Sequence, residues 1–424
     1  MSKSKNNYEP LPGEENEVAK SEVSAGLIQY SAESMMPYGP VHPALHEPEY
    51  FKLILEGEQI IDVLPRIGFC HRGIERAAQD RTWIKNIYLF ERICGICSFA
   101  ESSCYTQAVE RLLQFEVPKR GRYLRVLVGE LERIHSHLLW LGLVGHWTGF
   151  DTLFMWIWKD REHVLDILEA ITGNRVHKSY TTITGVRRDL PDNITEPIKR
   201  EMKYILDRVK LYTDIVTRES TLISRTRGVG RIDANTARKL CPVGPVLRNT
   251  GIATDIRVQD PYAAYDELIP EVQTSKDGDI ASLILLRIHE IEDSCRLVLE
   301  SIEKMPSGPI KLNPPRSVPK GESLFHVEAP RGELFYYVKS PGGTSPERVK
   351  IRTPTMGNIH SALYMLKGQT LADVPVVLTG IDPCFGCMDR VSIFDVDEQK
   401  SWWIKGEELR KYGISYYQNK EKRI

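Results

Sequence analysis

The stretch Glu91–Cys104, "ERICGICSFAESSC", sets two cysteines three positions apart behind an arginine and follows them with an acid. A second pair, in "IDPCFGCMDR" (Ile381–Arg390), stands near the other end of the chain. Each CxxC loop offers two thiolates to one metal, and two loops offer four. In small zinc modules such pairs are separated by roughly 15 to 20 residues; here most of the chain lies between them. A separation of that size makes sense if the fold exists to bring two loops to one buried centre. That favours a catalytic metal over a structural zinc, while four sulfurs also suit an iron-sulfur cluster. Arg92 and Arg390 flank the pairs, and cationic neighbours depress thiol pKa values. Asp382 and Pro383 stiffen the second loop.

With 424 residues the chain can bury a sizeable core, in one large domain or two to three smaller ones. Its 56 basic residues balance 57 acidic ones, so no global field draws it to nucleic acid or anionic lipid. No apolar run reaches the roughly 18 residues of a membrane span; the longest are of the kind "LLWLGLVG" (Leu138–Gly145). The polar N-terminus, "MSKSKNNYEPLPGEENEVAKSE", lacks the apolar centre of a secretory signal, which points to the cytoplasm. In that reducing compartment, eight cysteines with two CxxC pairs read as metal or redox chemistry rather than disulfides.

The expected fold is α+β and mainly α. Residues 1–36 have the composition of a flexible arm, and 37–424 form one domain. Within it, 37–80 is β-rich, with a hairpin in "YFKLILEGEQIIDVLPRIGF" (Tyr50–Phe69). Residues 81–305 are a bundle of long helices, expected at Arg81–Leu113, Lys119–Leu143, Phe150–Thr172, Thr195–Leu222 and Ile280–Met305. Leu127, Leu131, Ile134, Leu138 and Leu141 make one apolar stripe, and Pro306 stops the last helix. Residues 306–424 form a small α+β region with the second CxxC loop, and "VSIFDV" and "SWWIKG" read as a hairpin in the tail. Outside the pairs, Cys70, Cys104, Cys241 and Cys295 read as small core residues. His135 and His137, two apart on a helix, point to different faces and cannot chelate one metal. Glu75 in "HRGIERAAQDR" reads as the ion-pair partner of Arg72, three residues back.

"ERICGIC" with "DPCFGCMDR" resembles the signature pair of nickel-iron hydrogenase large subunits, and "GPVHPALHEPE", "HRGIERAAQDR", "VGELERIHSHLLWLGLVGHWTGFD", "TITGVRRDL", "CPVGPVLRNTG" and "EAPRGELFYYV" extend the likeness from about Pro37 to the end. The wording is most similar to the energy-converting, membrane-bound group that includes formate hydrogenlyase, and is shared in part with the 49-kilodalton subunit of complex I, whose members lack the four cysteines. The resemblance implies that Cys94 and Cys384 are terminal thiolates on nickel, while Cys97 and Cys387 bridge nickel and iron. It implies carbon monoxide and cyanide on the iron, and admits a magnesium ion. Soft thiolates suit an electron-rich, redox-active nickel. The implied reaction is heterolysis of hydrogen or its reverse, with Cys384 taking the proton. Glu47, in "HPALHEPE", matches the family's proton-gating glutamate, a role that a raised carboxyl pKa would serve. Arg331, in "EAPRGEL", matches the arginine over the open metal position, and Pro330 and Asp382 line the same cavity. Glu75 matches an acid near the family's site, which implies a place on a water or proton path instead.

Glu101 departs from the family, which carries a histidine four residues beyond the second cysteine. A carboxyl donates a hydrogen bond to a sulfur only when protonated, so Glu101 bears on potential, on proton flow or on the choice of reaction. The family is commonly trimmed after the position of Arg390, whereas here a tail follows. The partners implied are a 4Fe-4S small subunit, a complex-I-like 30-kilodalton-type subunit, a ferredoxin-like subunit and membrane-arm subunits, with the chain peripheral on the cytoplasmic side of the membrane. The domain that formate hydrogenlyase fuses to its large subunit is expected on a separate polypeptide. Two alternatives stay open: a sulfane-sulfur-reducing relative with a modified metal site, and a non-catalytic scaffold whose cysteines hold zinc.

Overall fold

The computed structural model of the chain describes residues 34–388, 394–395, 400–401, 411–415 and 418. Most of the expected arm and much of the tail, Arg390 included, lie outside the described residues. The first strand, β1 (Met35–Tyr38), begins inside the span read as arm and pairs antiparallel with β2 (Tyr50–Glu56). β2 turns at Gly57 into β3 (Gln59–Arg66), the expected hairpin. The eleven-residue connection between β1 and β2, 39–49, carries Glu47.

The helix expected at Arg81–Leu113 is two helices. After the short α1 (Ile74–Gln79), α2 (Trp83–Glu91) starts at a Thr82 cap that accepts the Lys85 N–H. The chain then leaves helical geometry through the first cysteine pair and restarts at Cys97 as α3 (Ser98–Leu112). Cysteine and glycine leave a 3.6-residue pattern intact on paper, so the break is written in tertiary contacts rather than in the periodicity. The helix α4 (Lys119–Trp147) runs four residues past the expected Leu143 and lies along α5 (Asp151–Thr172). Gly142 permits that approach, since a Cβ there would sit 2.5 Å from the Trp158 ring. A short hairpin, β4 (Thr181–Thr182) and β5 (Gly185–Val186), follows. The helix expected to reach Leu222 stops earlier: α6 (Thr195–Arg218) ends where Glu219 turns extended and caps α7 (Ser220–Thr226) through its own carboxylate. A run with the short helix α8 (Ala234–Leu240) leads to α9 (Ile280–Glu303), capped by Asp279.

The C-terminal region is an antiparallel sheet, β6 (Gly321–Ala329), β7 (Gly332–Ser340) and β8 (Arg348–Arg352), then α10 (Pro354–Leu366) and α11 (Val374–Gly380). Ala329 pairs with Gly332, so Pro330 and Arg331 form the tip of the β6–β7 hairpin. In the tail, Phe394–Asp395 pairs antiparallel with Lys400–Ser401, at the place of the expected hairpin.

Among the described residues, two of three apolar clusters frame the site. The larger joins α4, α5, α6, α9, α10 and α11 with β2 and β3, and contains the stripe Leu127, Leu131, Ile134, Leu138 and Leu141. The smaller joins α2, α3 and the β6–β8 sheet, and contains Cys94, Cys97, Cys384 and Cys387. The chain is thus α+β and mainly α. Among the described residues no helix is long and apolar enough to cross a membrane.

Candidate metal centre

The two cysteine pairs arrive at one place by different routes. Cys94 and Cys97 sit in the break between α2 and α3, and Cys384 and Cys387 flank a single turn of helix after α11. All four are buried. Cys94 lies beside both Cys384 and Cys97, and Cys384 beside Cys387. The Cys387 Sγ donates to the Cys384 carbonyl at 2.9 Å. These contacts draw the proton off Cys94, well below the usual thiol range, and hold the protons of Cys97 and Cys384 well above it. Among the described residues no three His, Cys, Asp or Glu side chains stand as a ready ligand set; the sulfurs are free thiols, with Cys384 facing Glu47 and Cys387 facing Thr355 and the Cys384 carbonyl.

The first loop is held from behind. Glu132, on α4, accepts the N–H groups of Phe99 (2.7 Å) and Ala100 (2.9 Å), the unpaired donors at the start of α3. Lys178 balances that buried carboxylate at 2.8 Å. The second loop is held by Thr355, whose hydroxyl accepts the Cys384 N–H at 3.1 Å. Asp382 adopts a left-handed conformation (φ 53°), unusual for any residue but glycine. Its carboxylate takes Arg287 at 2.8 Å and Arg331 at 2.9 Å, and its carbonyl takes Arg331 Nε at 2.7 Å. Burial alone would raise the Asp382 pKa, but the two guanidinium groups hold it below the usual carboxylate range.

Arg331 is buried and carries its charge beside Cys94, Cys97 and Cys384. Its Nη1 has no protein acceptor. Arg92 does not serve the sulfurs as expected: it is half-exposed and turns back to Glu91 and to the Tyr88 carbonyl. Among the described residues the cation at the thiols is Arg331. Pro330, beside it at the hairpin tip, lines a small cavity against Glu132, Arg133 and Glu328.

Glu47 reaches the second loop from the β1–β2 connection. One carboxylate oxygen accepts the Gly386 N–H at 2.8 Å and the other lies 3.8 Å from Cys384 Sγ. Glu101 is fully buried one turn beyond Cys97, whose carbonyl accepts its N–H. Burial pushes its carboxyl up to about 8, with smaller contributions from Cys94 and Glu132 and an opposing one from Tyr336. The Tyr336 hydroxyl donates to Oε2 at 2.6 Å, and Oε1 has no partner.

Glu75 does not pair with Arg72. It accepts the Ile351 N–H at 3.0 Å and faces Arg348 at 3.4 Å, tying α1 to β8. Arg72 instead reaches the cysteine loops. His135 and His137 diverge: His135 accepts from Arg161, while His137 meets Glu290. Cys104 is buried in the same apolar core as the four, Cys295 in the larger core, and Cys241 is exposed. Glu132, Thr355 and Tyr336 were not foreseen in the sequence; Glu132 lies in "VGELERIHSHLL" and Tyr336 in "EAPRGELFYYV", both already singled out, while Thr355 lies in no quoted motif.

The family model described as the respiratory-chain NADH dehydrogenase 49 Kd subunit matches residues 148–317 and 313–390, and that of nickel-dependent hydrogenase matches residues 72–145. The chain is 39% identical over 395 residues to the membrane-bound hydrogenase subunit alpha of Pyrococcus furiosus, spanning 89% of this chain and 92% of that protein. The chain belongs to the family of membrane-bound hydrogenase and complex I 49-kilodalton subunits. Formate hydrogenlyase subunit 5 of Escherichia coli, a further family member, is 34% identical over 90% of this chain and 67% of its own length. A solved subunit of the archaeal membrane-bound sulfane sulfur reductase superposes with a TM-score of 0.80 at 34% identity, over 84% of this chain and 98% of that one. Membership makes the chain an oxidoreductase-family subunit whose relatives work in membrane-bound complexes.

Proposed function

We propose that the chain is the catalytic large subunit of a membrane-associated, energy-converting nickel-iron hydrogenase that reduces protons to hydrogen or oxidises it. One observation carries this reading: four buried thiols from distant loops contact one another beside a buried arginine with an unsatisfied N–H. The fit to a metal group is chemical. Four soft donors, one already prone to ionise, suit nickel and iron, and the free donor of Arg331 suits an acceptor-bearing ligand such as cyanide. Cys94, Cys97, Cys384 and Cys387 would hold the metal pair.

When bound, the metal pair supplies the two-electron chemistry that interconverts hydrogen with two protons and two electrons. The chain's own residues manage the protons and the surroundings. Cys384 Sγ holds a proton and Glu47 takes it across the 3.8 Å gap. Arg331, fixed by Asp382, keeps a positive charge over a thiolate cluster that would otherwise repel electrons arriving as charge. Glu101, protonated at neutral pH, has an O–H to offer where the family offers a histidine N–H. Electrons would come from a 4Fe-4S cluster in a small subunit, and a membrane arm on the other side of a peripheral, cytoplasmic-facing module would couple them to ion translocation.

A second reading, sulfane-sulfur reduction at a modified metal site, is favoured by Glu101 and by the likeness to the sulfane sulfur reductase subunit. Metal analysis and infrared spectroscopy of the purified complex test the first reading: nickel and iron in equal amounts with bands of metal-bound carbon monoxide and cyanide are expected. Zinc without nickel would overturn it. A fully nickel-loaded complex that neither takes up nor evolves hydrogen but reduces sulfane sulfur would select the second reading.

A further inference from the structure

Arg72, just before α1, is an exposed residue whose guanidinium is spent wholly on backbone. Nη1 donates to the Arg92 carbonyl at 2.7 Å, and Nη2 donates to the carbonyls of Ile93 at 2.8 Å and Gly386 at 2.9 Å. The first two acceptors lead directly into Cys94. The third lies between Cys384 and Cys387. One planar group therefore bridges the two loops, which share no backbone–backbone hydrogen bond among the described residues.

The Gly386 peptide is gripped on both sides, its N–H by Glu47 and its carbonyl by Arg72. A Cβ at Gly386 would lie 3.1 Å from Glu47 Oε1 and 3.3 Å from Arg72 Nη2, so both groups close over this one glycine. We infer that Arg72 is a positioning residue, a latch that holds the two cysteine loops in register and seats Glu47 against Cys384. The inference rests on the four cysteines acting as one site. Lysine cannot replace the latch, because a single ammonium is a point donor while the guanidinium fork spans both loops in one plane.

Timed alkylation of the full-length chain isolated without metal, followed by peptide mass spectrometry, tests the latch. In Arg72→Ala, labelling of the cysteines in both loops is expected to accelerate by about tenfold, the factor given by about 1.4 kcal/mol of lost hydrogen bonding to a charged group. Arg72→Lys is expected to restore protection only partly, and Gly386→Ala to mimic the loss. Cys295, buried in the larger core, should stay as slow as in the wild type. Unchanged labelling of the four cysteines would overturn the latch. Equal acceleration at Cys295 would overturn it too, because Arg72 would then only support the fold. Labelling needs no bound metal, so a latch that holds in a chain that never takes up nickel would refute the hydrogenase reading and leave this inference standing.

Discussion

Glu101→Gln isolates what burial does to the acid that sets this chain apart. In the folded chain the carboxyl titrates at about 8, against an ordinary value of 4.5. Below pH 4.5 both folded and unfolded chains carry the proton and the residue has no effect on the pH dependence. Between 4.5 and 8 the unfolded chain ionises while the folded one keeps its proton. Stability therefore falls as pH rises across that window, by about 1.4 kcal/mol per unit and about 5 kcal/mol in total, and no further above it. Glutamine keeps the shape and accepts the Tyr336 hydroxyl, which donates at 2.6 Å, but has no proton to lose. Urea unfolding of wild-type and variant chains without metal, at intervals from pH 5 to 8, should give a stability difference that widens with pH in favour of the variant. A difference that stays constant within about 1 kcal/mol across the range would refute the argument that Glu101 is held protonated by its burial.

Two further substitutions probe the supports behind the loops. Glu130 is buried between Arg257 at 3.0 Å and Arg133 at 3.3 Å; burial would raise its pKa, but these guanidinium groups hold it at about 2. Glu130→Gln should cost roughly 3 to 5 kcal/mol at pH 7 by urea unfolding, because it leaves buried cations short of charge. Glutamine at 130 should also remove the loss of stability that protonation of this group brings as pH falls from 4.5 through about 2. Glu132→Ala uncaps α3 and strands Lys178, so hydrogen exchange at the Phe99 and Ala100 amides should rise well before global unfolding does; protection equal to wild type would refute the capping role.

The cysteine set was legible in the sequence because thiols are scarce and their spacing is a ligand signature. The supports were not, for a physical reason common to all of them. Arg72 bonds only to carbonyls, which every residue owns, so nothing in its neighbours' identity betrays it. Glu132 caps a helix start 33 positions earlier, and Glu101 meets Tyr336 across 235 positions. Glu75 misled for the complementary reason: Arg72 is its nearest opposite charge along a helix, but the backbone N–H that claims it is 276 positions away. Local rules such as i,i+3 pairing are worth only about 0.2 to 0.5 kcal/mol, and a buried backbone donor outweighs them.

Asp382 joins the backbone and charge arguments in one residue. Its left-handed conformation aims the chain from α11 into Cys384, and such a conformation costs a non-glycine residue roughly 1 to 2 kcal/mol. What offsets that cost is the pair of ionic contacts to Arg287 and Arg331, the former also stacked 4.2 Å over the Trp140 ring. Conformation and charge can be separated by two substitutions. Asp382→Asn tolerates the left-handed region nearly as well and keeps a side-chain carbonyl oxygen, but leaves two buried cations without their counter-charge; Asp382→Gly relieves the backbone and removes the side-chain acceptor, leaving only the backbone carbonyl to Arg331 Nε. If charge dominates, both variants lose roughly 3 to 5 kcal/mol in urea unfolding, with Asn little better than Gly. If the backbone dominates, Gly should match or exceed wild type. Two guanidinium groups inside a dry core weigh more than one strained φ, so the first outcome is expected, and a Gly variant as stable as wild type would show that Arg331 does not depend on Asp382 for its place over the thiols.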